Sequence, residues 1–308
     1  MTFTTKIKEE ITRQEIDELK SLPTLSAFIK FNGNINNKQI TLTMENAAIA
    51  RYVDKLIKKI FMINPQIVIR NQRRFRIKTI YLLIINYQVI EILTKLNIFK
   101  NNQFILPETY FLADDEDKIA YLKGLFLASG SITNPQTSGY HFEYVVTTKK
   151  EAEYINSLLH SLNFTSKILK RTHKYIIYLK QAEMISDMLK LFGATEAMFF
   201  FEDIRIYRDH KNMVNRLNNV DLANQAKTIA TSQKELQDIR YLEEHDLLSL
   251  LDERVQEIII YRQKYPETSF QELAQIVSSE TNKSITKSGI NHCFRKIKDL
   301  VNKHQNKM

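Results

Sequence analysis

A cluster of residues near the end of this chain is of types that read nucleic acid. Lys287, Ser288, Asn291, His292, Arg295 and Lys298 recur at spacings that place them on one side of a helix, and Lys296 follows Arg295. Asparagine bonds adenine and arginine bonds guanine through paired hydrogen bonds, while lysine holds phosphate. Of the seven histidines, only His292 has such a place. A solvated basic face on a small helical bundle is the alternative for the same pattern.

A second set of cations lies earlier. In Arg74-Phe75-Arg76-Ile77-Lys78, alternation along a strand puts Arg74, Arg76 and Lys78 on one face, with Arg70 and Arg73 close by. Lys167, Lys170, Arg171, His173 and Lys174 fall on a comparable strand pair. Two such ribbons about a pseudo-two-fold axis would form a saddle whose grip on a polyanion is mostly electrostatic. Edge strands also carry Lys and Arg to block aggregation, and both explanations stand. Between the two sets, Asn215, Arg216, Asn218, Asn219, Asn224 and Gln225 are dense in amide and guanidinium groups. They suit either a hinge bonded to the domains on both sides or a further contact with DNA.

Other chemistries find little support. No histidine lies at ligand spacing from another or from Cys293, the single cysteine, so neither a zinc site nor an internal disulfide is expected. Cys293 is expected to pack beside an apolar stripe. Six scattered glycines cannot build a phosphate-cradling loop. Ser129 has no histidine and acid arranged around it. Asp114, Asp115, Glu116 and Asp117 stand where they complement the positive end of a helix dipole. Phe199-Phe200-Phe201 is expected to cover the end of a core, with an exposed partner-binding patch as the alternative. No metal and no cofactor is expected.

The elements that must position the first set can be read from caps and periodicity. Leu250 to Lys264 has a helical pattern that stops at Tyr265-Pro266. Ser269 and Glu272 form a capping box for a helix over Phe270 to Val277. A ten-residue polar turn, Ser278 to Lys287, follows. Thr286 or Ser288 then caps a helix in which Ile290, Phe294, Ile297 and Val301 form one buried stripe. Residues 269–303 therefore read as a helix-turn-helix, with a turn longer than the usual three or four residues.

The second set sits on a duplication. Leu25 to Gly33 and Leu122 to Gly130 match at an offset of 97 positions. Each copy has a small third residue, Ala27 or Gly124, which lets another helix approach closely. Each ends in glycine, expected to take the left-handed conformation that closes a helix. After each come a strand (Gln39 to Met44; His141 to Thr147), a helix (Ala47 to Phe61; Glu151 to Leu162), a basic strand pair (Gln66 to Ile80; Thr165 to Leu179) and a helix (Val89 to Leu96; Ala182 to Leu191).

The chain has 308 residues, 44% hydrophobic and 26% charged, enough for two or three globular domains. No apolar run reaches membrane-spanning length, and Lys6, Lys8, Glu9 and Glu10 break any secretory signal. A reduced, cytoplasmic compartment is expected. The net charge of +9 favours a polyanionic partner. Its distribution is more telling: Thr281 to the C-terminus holds seven Lys or Arg against the one acid Asp299, whereas Lys227 to Glu280 holds six against eleven. A basic tip on an acidic body suits a segment that meets phosphate.

The cores Leu25–Gly33 and Leu122–Gly130 resemble the paired helices of the LAGLIDADG homing endonucleases. That resemblance implies a site where acids at the eighth motif positions hold divalent metals for phosphodiester cleavage. Here those positions are Asn32 and Ser129, and the sixth are Lys30 and Leu127. Neither Asn nor Ser is a hard anionic ligand, so no nuclease activity is expected. Combined with a helix-turn-helix, the chain resembles the WhiA family of bacterial regulators. Thr2-Phe3 with Lys6, Lys8 and Glu9, and Tyr175 to Lys180, are similar to that family's opening and late strand. Asn215-Arg216-Leu217-Asn218-Asn219 with Ala223-Asn224 and Lys227-Thr228 is similar to its connector. Ile285 to His292 with Arg295-Lys296 is similar to its recognition segment.

The resemblance implies an α+β protein. A duplicated LAGLIDADG-like αββαββα domain spans 1–205, with repeats at about 22–100 and 118–198. A connector covers 206–228 and an all-α helix-turn-helix domain covers 229–308. It further implies a regulator of double-stranded DNA, nucleoid-associated, acting in cell division and chromosome segregation, with room for a protein co-regulator. A residual endonuclease or RNA maturase, and a nucleoid or division scaffold, are the alternatives.

Overall fold

The structure is a computed structural model that describes residues 1–36, 38–72, 78–137 and 139–306, without the side chains of Glu18, Leu19, Gln72 and Lys78. The chain divides into two compact units, Met1–Arg208 and Asp209–Met308.

The first unit opens with a helix, α1 (Phe3–Arg13), that the sequence reading did not anticipate. Thr2 caps it by accepting from the Thr5 amide at 3.2 Å, and Phe3, Ile7 and Ile11 are buried at a four-residue spacing. Next come α2 (Glu18–Asn32), β1 (Gly33–Asn36), β2 (Gln39–Met44), α3 (Ala47–Phe61), β3 (Gln66–Gln72), β4 (Lys78–Ile85) and α4 (Val89–Lys95). Asn46 caps α3, its Oδ1 accepting from the Ala48 and Ile49 amides. A small hairpin, β5 (Phe99–Lys100) and β6 (Gln103–Phe104), and a 3-10 turn at Thr109–Leu112 lead into the second copy.

That copy runs α5 (Asp115–Ser129), β7 (Gly130–Ile132), β8 (Phe142–Val146), α6 (Lys149–Ser161), β9 (Lys167–Arg171), β10 (Lys174–Leu179) and α7 (Ala182–Leu191). The duplication is visible in the pairing. Both sheets are antiparallel, with orders β1-β2-β4-β3 and β7-β8-β10-β9. Ile40, Leu42, Leu83 and Ile85 of one sheet and Phe142, Tyr144, Ile177 and Leu179 of the other are buried in one continuous core.

The core is organised around α2 and α5, which pack directly on each other. A Cβ added at Gly124 would collide with the backbone of Thr24, so this contact requires glycine. Thr24 Oγ1 donates across it to the Ala120 carbonyl at 3.0 Å. Asp114 precedes α5, and Asp115, Glu116 and Asp117 fill its first turn, where they meet the positive end of the dipole. Gly33 and Gly130 correct an expectation. Neither is left-handed; each passes straight into a strand, and Gly130 is extended at φ −79°. Glycine is needed there for space: a Cβ at Gly33 would meet the Ile29 carbonyl, and one at Gly130 the Phe126 ring. Phe201 is fully buried and closes the core, while Phe199 is exposed.

The helix α8 (Thr195–Glu244) begins in the first unit, where Glu10 caps it by accepting from the Glu196 and Ala197 amides at 2.7 and 3.0 Å. The second unit holds the rest of α8, a 3-10 turn at Leu248–Leu250, α9 (Glu253–Lys264), α10 (Phe270–Thr281) and α11 (Lys287–Gln305). The helix expected from Leu250 therefore starts three residues later. Its own core includes Ile239, Leu242, Val255, Ile258, Leu273, Val277, Ile290, Phe294, Ile297 and Val301.

Adding a methyl group against a fixed backbone forces helices apart. Gly124→Ala is expected to lower stability by about 1–3 kcal/mol in urea unfolding of the full chain, as overpacked cores do. An unchanged midpoint would mean that the α2/α5 contact is looser than described.

Candidate nucleic-acid interface

The reading helix is fixed by its caps and its buried stripe. Thr286, rather than Ser288, caps α11, its Oγ1 accepting from the Gly289 amide at 3.2 Å. Ser269 and Glu272 cap α10 reciprocally. Ile290, Cys293, Phe294, Ile297 and Val301 face the core. Lys287, Ser288, Asn291, His292, Arg295 and Lys298 are all exposed on the rest of α11.

Lys296 stands apart from them. It is half-buried, with Nζ 2.5 Å from Asp252 Oδ2. That hydrogen bond holds the Asp252 carboxyl below the usual carboxylate range. Lys296 thus ties α11 to the start of α9, and Asp252 makes no side-chain cap for α9.

The turn also differs from expectation. α10 continues to Thr281, leaving Asn282 to Thr286 as a five-residue turn instead of ten. Ser278 Oγ accepts from the Ile285 amide at 3.0 Å, and Thr281 Oγ1 donates to the Val277 carbonyl at 2.7 Å. Polar side chains that read as loop are satisfied by nearby backbone while the chain stays helical. Asn282 ends the helix in the left-handed conformation, at φ 53°.

The residue that joins this unit together was not found by sequence reasoning. Arg262 of α9 is only 1% exposed. Its Nη1 donates to the Thr268 carbonyl at 2.6 Å, and its Nη2 lies 3.0 Å from Glu235 Oε2 on α8. The guanidinium carbon sits 5.5 Å from the Phe270 ring centre and 5.3 Å from that of Phe294, and the two rings stack. One buried cation therefore touches α8, α9, α10 and α11. Desolvation pushes the Glu235 carboxyl up to about 7 against the pull of Arg262. Ile258 and Ile259 beside Arg262 were the only signal that its helix face is buried.

In the first unit the register sorts the candidate cations. Arg70 pairs with Ile80 and lies on the sheet face opposite Leu83 and Ile85, away from the core. Arg171 and Lys174 pair with each other and take the equivalent face of the second sheet. Lys170 does not join them: it pairs with Tyr175, on the core side of the strand, although it is exposed. Strand alternation separates it from Arg171. Lys78 begins β4, and Arg73, Arg74 and Arg76 lie outside the described residues.

The eighth motif positions lie at the C-terminal ends of the central helices. Asn32 is locked to β2: its Nδ2 donates to the Thr43 carbonyl and its Oδ1 accepts from the Thr43 amide, both at 3.1 Å. Ser129 Oγ is buried without a hydrogen-bond partner among the described residues. Nearby, Lys8 donates to the Leu127 carbonyl at 3.2 Å, and burial pulls its pKa down to about 8. Among the described residues, no three His, Cys, Asp or Glu side chains gather as metal ligands. Asn215 and Arg216 are exposed on α8, and neither side chain makes a hydrogen bond or ion pair among the described residues. Likewise among the described residues, no helix is long and apolar enough to cross a membrane.

Comparison with known proteins matches this architecture throughout. Residues 20–99 match the family model for the WhiA N-terminal LAGLIDADG-like domain, 118–211 that for the WhiA LAGLIDADG-like domain, and 214–301 that for the WhiA C-terminal HTH domain. A probable cell division protein WhiA of Staphylococcus aureus is 37% identical over 311 residues, covering 99% of this chain and 98% of its own length. The chain belongs to the WhiA family. Its fold is shared with full-length WhiA from Thermatoga maritima, at a TM-score of 0.56 and 22% identity, covering 98% of this chain and 99% of that one. The N-terminal LAGLIDADG domain of a WhiA protein aligns at a TM-score of 0.50 and 22% identity, covering 62% of this chain and 90% of that one. Within this WhiA architecture, the α11 face belongs to the helix-turn-helix domain and the basic strands to the LAGLIDADG-like one.

The Arg262–Glu235 pair makes the second unit sensitive to pH. The folded pKa of Glu235 lies above its ordinary 4.5, so the native state holds an extra proton between about 4.5 and 7. Stability from this group is complete below that window and falls as pH rises through it. Calorimetric melting of the full chain should show this decline, and Glu235→Gln should flatten it. The same slope in both proteins would assign the pH dependence elsewhere.

Proposed function

We propose that this protein is a sequence-specific DNA-binding transcriptional regulator, acting in cell division and chromosome segregation. The observation that carries this is the exposed polar face of α11: Ser288, Asn291, His292, Arg295 and Lys298 project from a capped helix packed on α10. Asn291 and Arg295 supply the paired donors and acceptors that discriminate adenine and guanine in the major groove. Lys287 and Lys298 hold phosphate and set register. The name of the Staphylococcus aureus relative supports the cell-division role. Residues 206–228 would serve as the connector between the two domains. A cytoplasmic, nucleoid-associated location and a protein co-regulator fit the same role.

The first unit acts in this scheme as a scaffold that does not cleave DNA. Asn32, held by the Thr43 backbone, has no carboxylate to offer a divalent cation, and neither does Ser129. Arg70, Arg171 and Lys174 add a weakly specific electrostatic contact.

Fluorescence anisotropy with duplex DNA tests the assignment. With about five phosphate contacts, log affinity should fall against log salt with a slope of roughly −4 to −5. Arg295→Ala should cost about 1–3 kcal/mol at a preferred site and relax preference there. A sequence preference untouched by that substitution would remove Arg295 and its helix face from the reading role.

A further inference from the structure

Beside the reading face, the second unit contains a cleft of about 320 Å³ walled by four helices. Lys227, Thr228 and Thr231 come from α8, Ser269, Phe270 and Gln271 from the start of α10, and Lys287 from the start of α11. Among the described residues, no acidic side chain lines it. Lys227 and Lys287 are distant in sequence, yet border the same space, and neither ammonium has a hydrogen bond or ion pair among the described residues.

Arg262 of α9 forms part of the wall, and its buried Nε has no hydrogen-bond partner among the described residues. The cleft thus has a buried cation in its wall, two unpaired ammonium groups at its rim and a hydroxyl at Thr228. The capping box occupies the Ser269 and Glu272 amides, which leaves those of Phe270 and Gln271, the first two of α10, without intrahelical acceptors. Every one of these groups favours an anion with several acceptor oxygens.

We infer that this cleft clamps one phosphodiester of the DNA backbone, with Lys227 and Thr228 of the connector helix closing on it opposite Lys287. The inference rests on the DNA-binding role of α11. Lys287 and Ser288 begin the reading face and also mark the end of α11 nearest the cleft. A strand flanking the groove that admits α11 passes this end of the helix. The two non-bridging oxygens then accept from the Phe270 and Gln271 amides and the Thr228 hydroxyl, with Lys227 and Lys287 as counter-ions. The contact carries no base information; it sets how deeply and at what angle α11 enters the groove. It also gives Lys227-Thr228 a task distinct from joining the domains.

The test is anisotropy on the full-length chain over a salt series, with a preferred duplex and a scrambled one. Lys227→Ala should weaken both by the same factor, about fivefold to tenfold, and make the salt slope shallower by about 0.9. Thr228→Val should weaken both without altering the slope, and Lys227→Arg should restore binding. Lys211→Ala, on the same helix but outside the cleft, should leave affinity and slope unchanged. Circular dichroism confirms that each variant is folded. Wild-type binding with an unaltered slope in Lys227→Ala would overturn the clamp and leave the reading role of α11 intact. A wild-type chain that binds neither duplex would overturn both.

Discussion

The first unit depends on how closely two helices approach. Thr24 of α2 presses its backbone against Gly124 of α5, where no side chain fits, and donates a hydrogen bond across the seam. At that separation Leu25, Phe28, Leu122, Leu125 and Phe126 all become buried. Each helix then feeds directly into the first strand of its own sheet through Gly33 or Gly130. The helix pair therefore sets where both sheets lie, and with them the faces that carry Arg70, Arg171 and Lys174. In an endonuclease of this fold the same seam would hold metal ligands together. Here one helix end closes on itself, because the Asn32 amide is consumed by the β2 backbone.

The second unit solves a similar problem with a charge. Burying a guanidinium is costly unless its donors and its charge are met. Arg262 meets part of that cost through the Thr268 carbonyl, Glu235 and two aromatic faces, with its Nε left unpaired among the described residues, and this requires four helices to converge. That convergence orients α11, so the exposed Asn291 and Arg295 depend on a residue that never reaches solvent. The Lys296–Asp252 pair adds a second tie on the other flank.

Much of this was legible in the residues, and the failures have physical reasons. The paired helices showed because apolar residues and one small position repeat at a fixed offset. The limits of β2 and α3 are those expected of the segments that follow the first motif copy, Gln39 to Met44 and Ala47 to Phe61. The role of Gly33 and Gly130 did not follow, since glycine at a helix end serves either a left-handed turn or a crowded backbone, and only contacts distinguish them. Ser278 to Thr281 looked like loop because hydroxyls satisfied within a helix resemble hydroxyls that break one. Lys170 was grouped with Arg171 because neighbouring charges share a segment, whereas register puts them on opposite faces. The full length of α8 was hidden by a surface that is polar or exposed over most of 206–231. Arg262 was silent because an arginine in an amphipathic helix usually marks the solvent side.

On the proposed reading, the LAGLIDADG-like unit holds DNA without cutting it. Incubating supercoiled plasmid with the full-length protein, in Mg²⁺ and then in Mn²⁺, addresses it most directly. Retarded but intact plasmid is the expected result in both metals. Nicked or linear product that disappears on substituting Asn32 or Ser129 would contradict it.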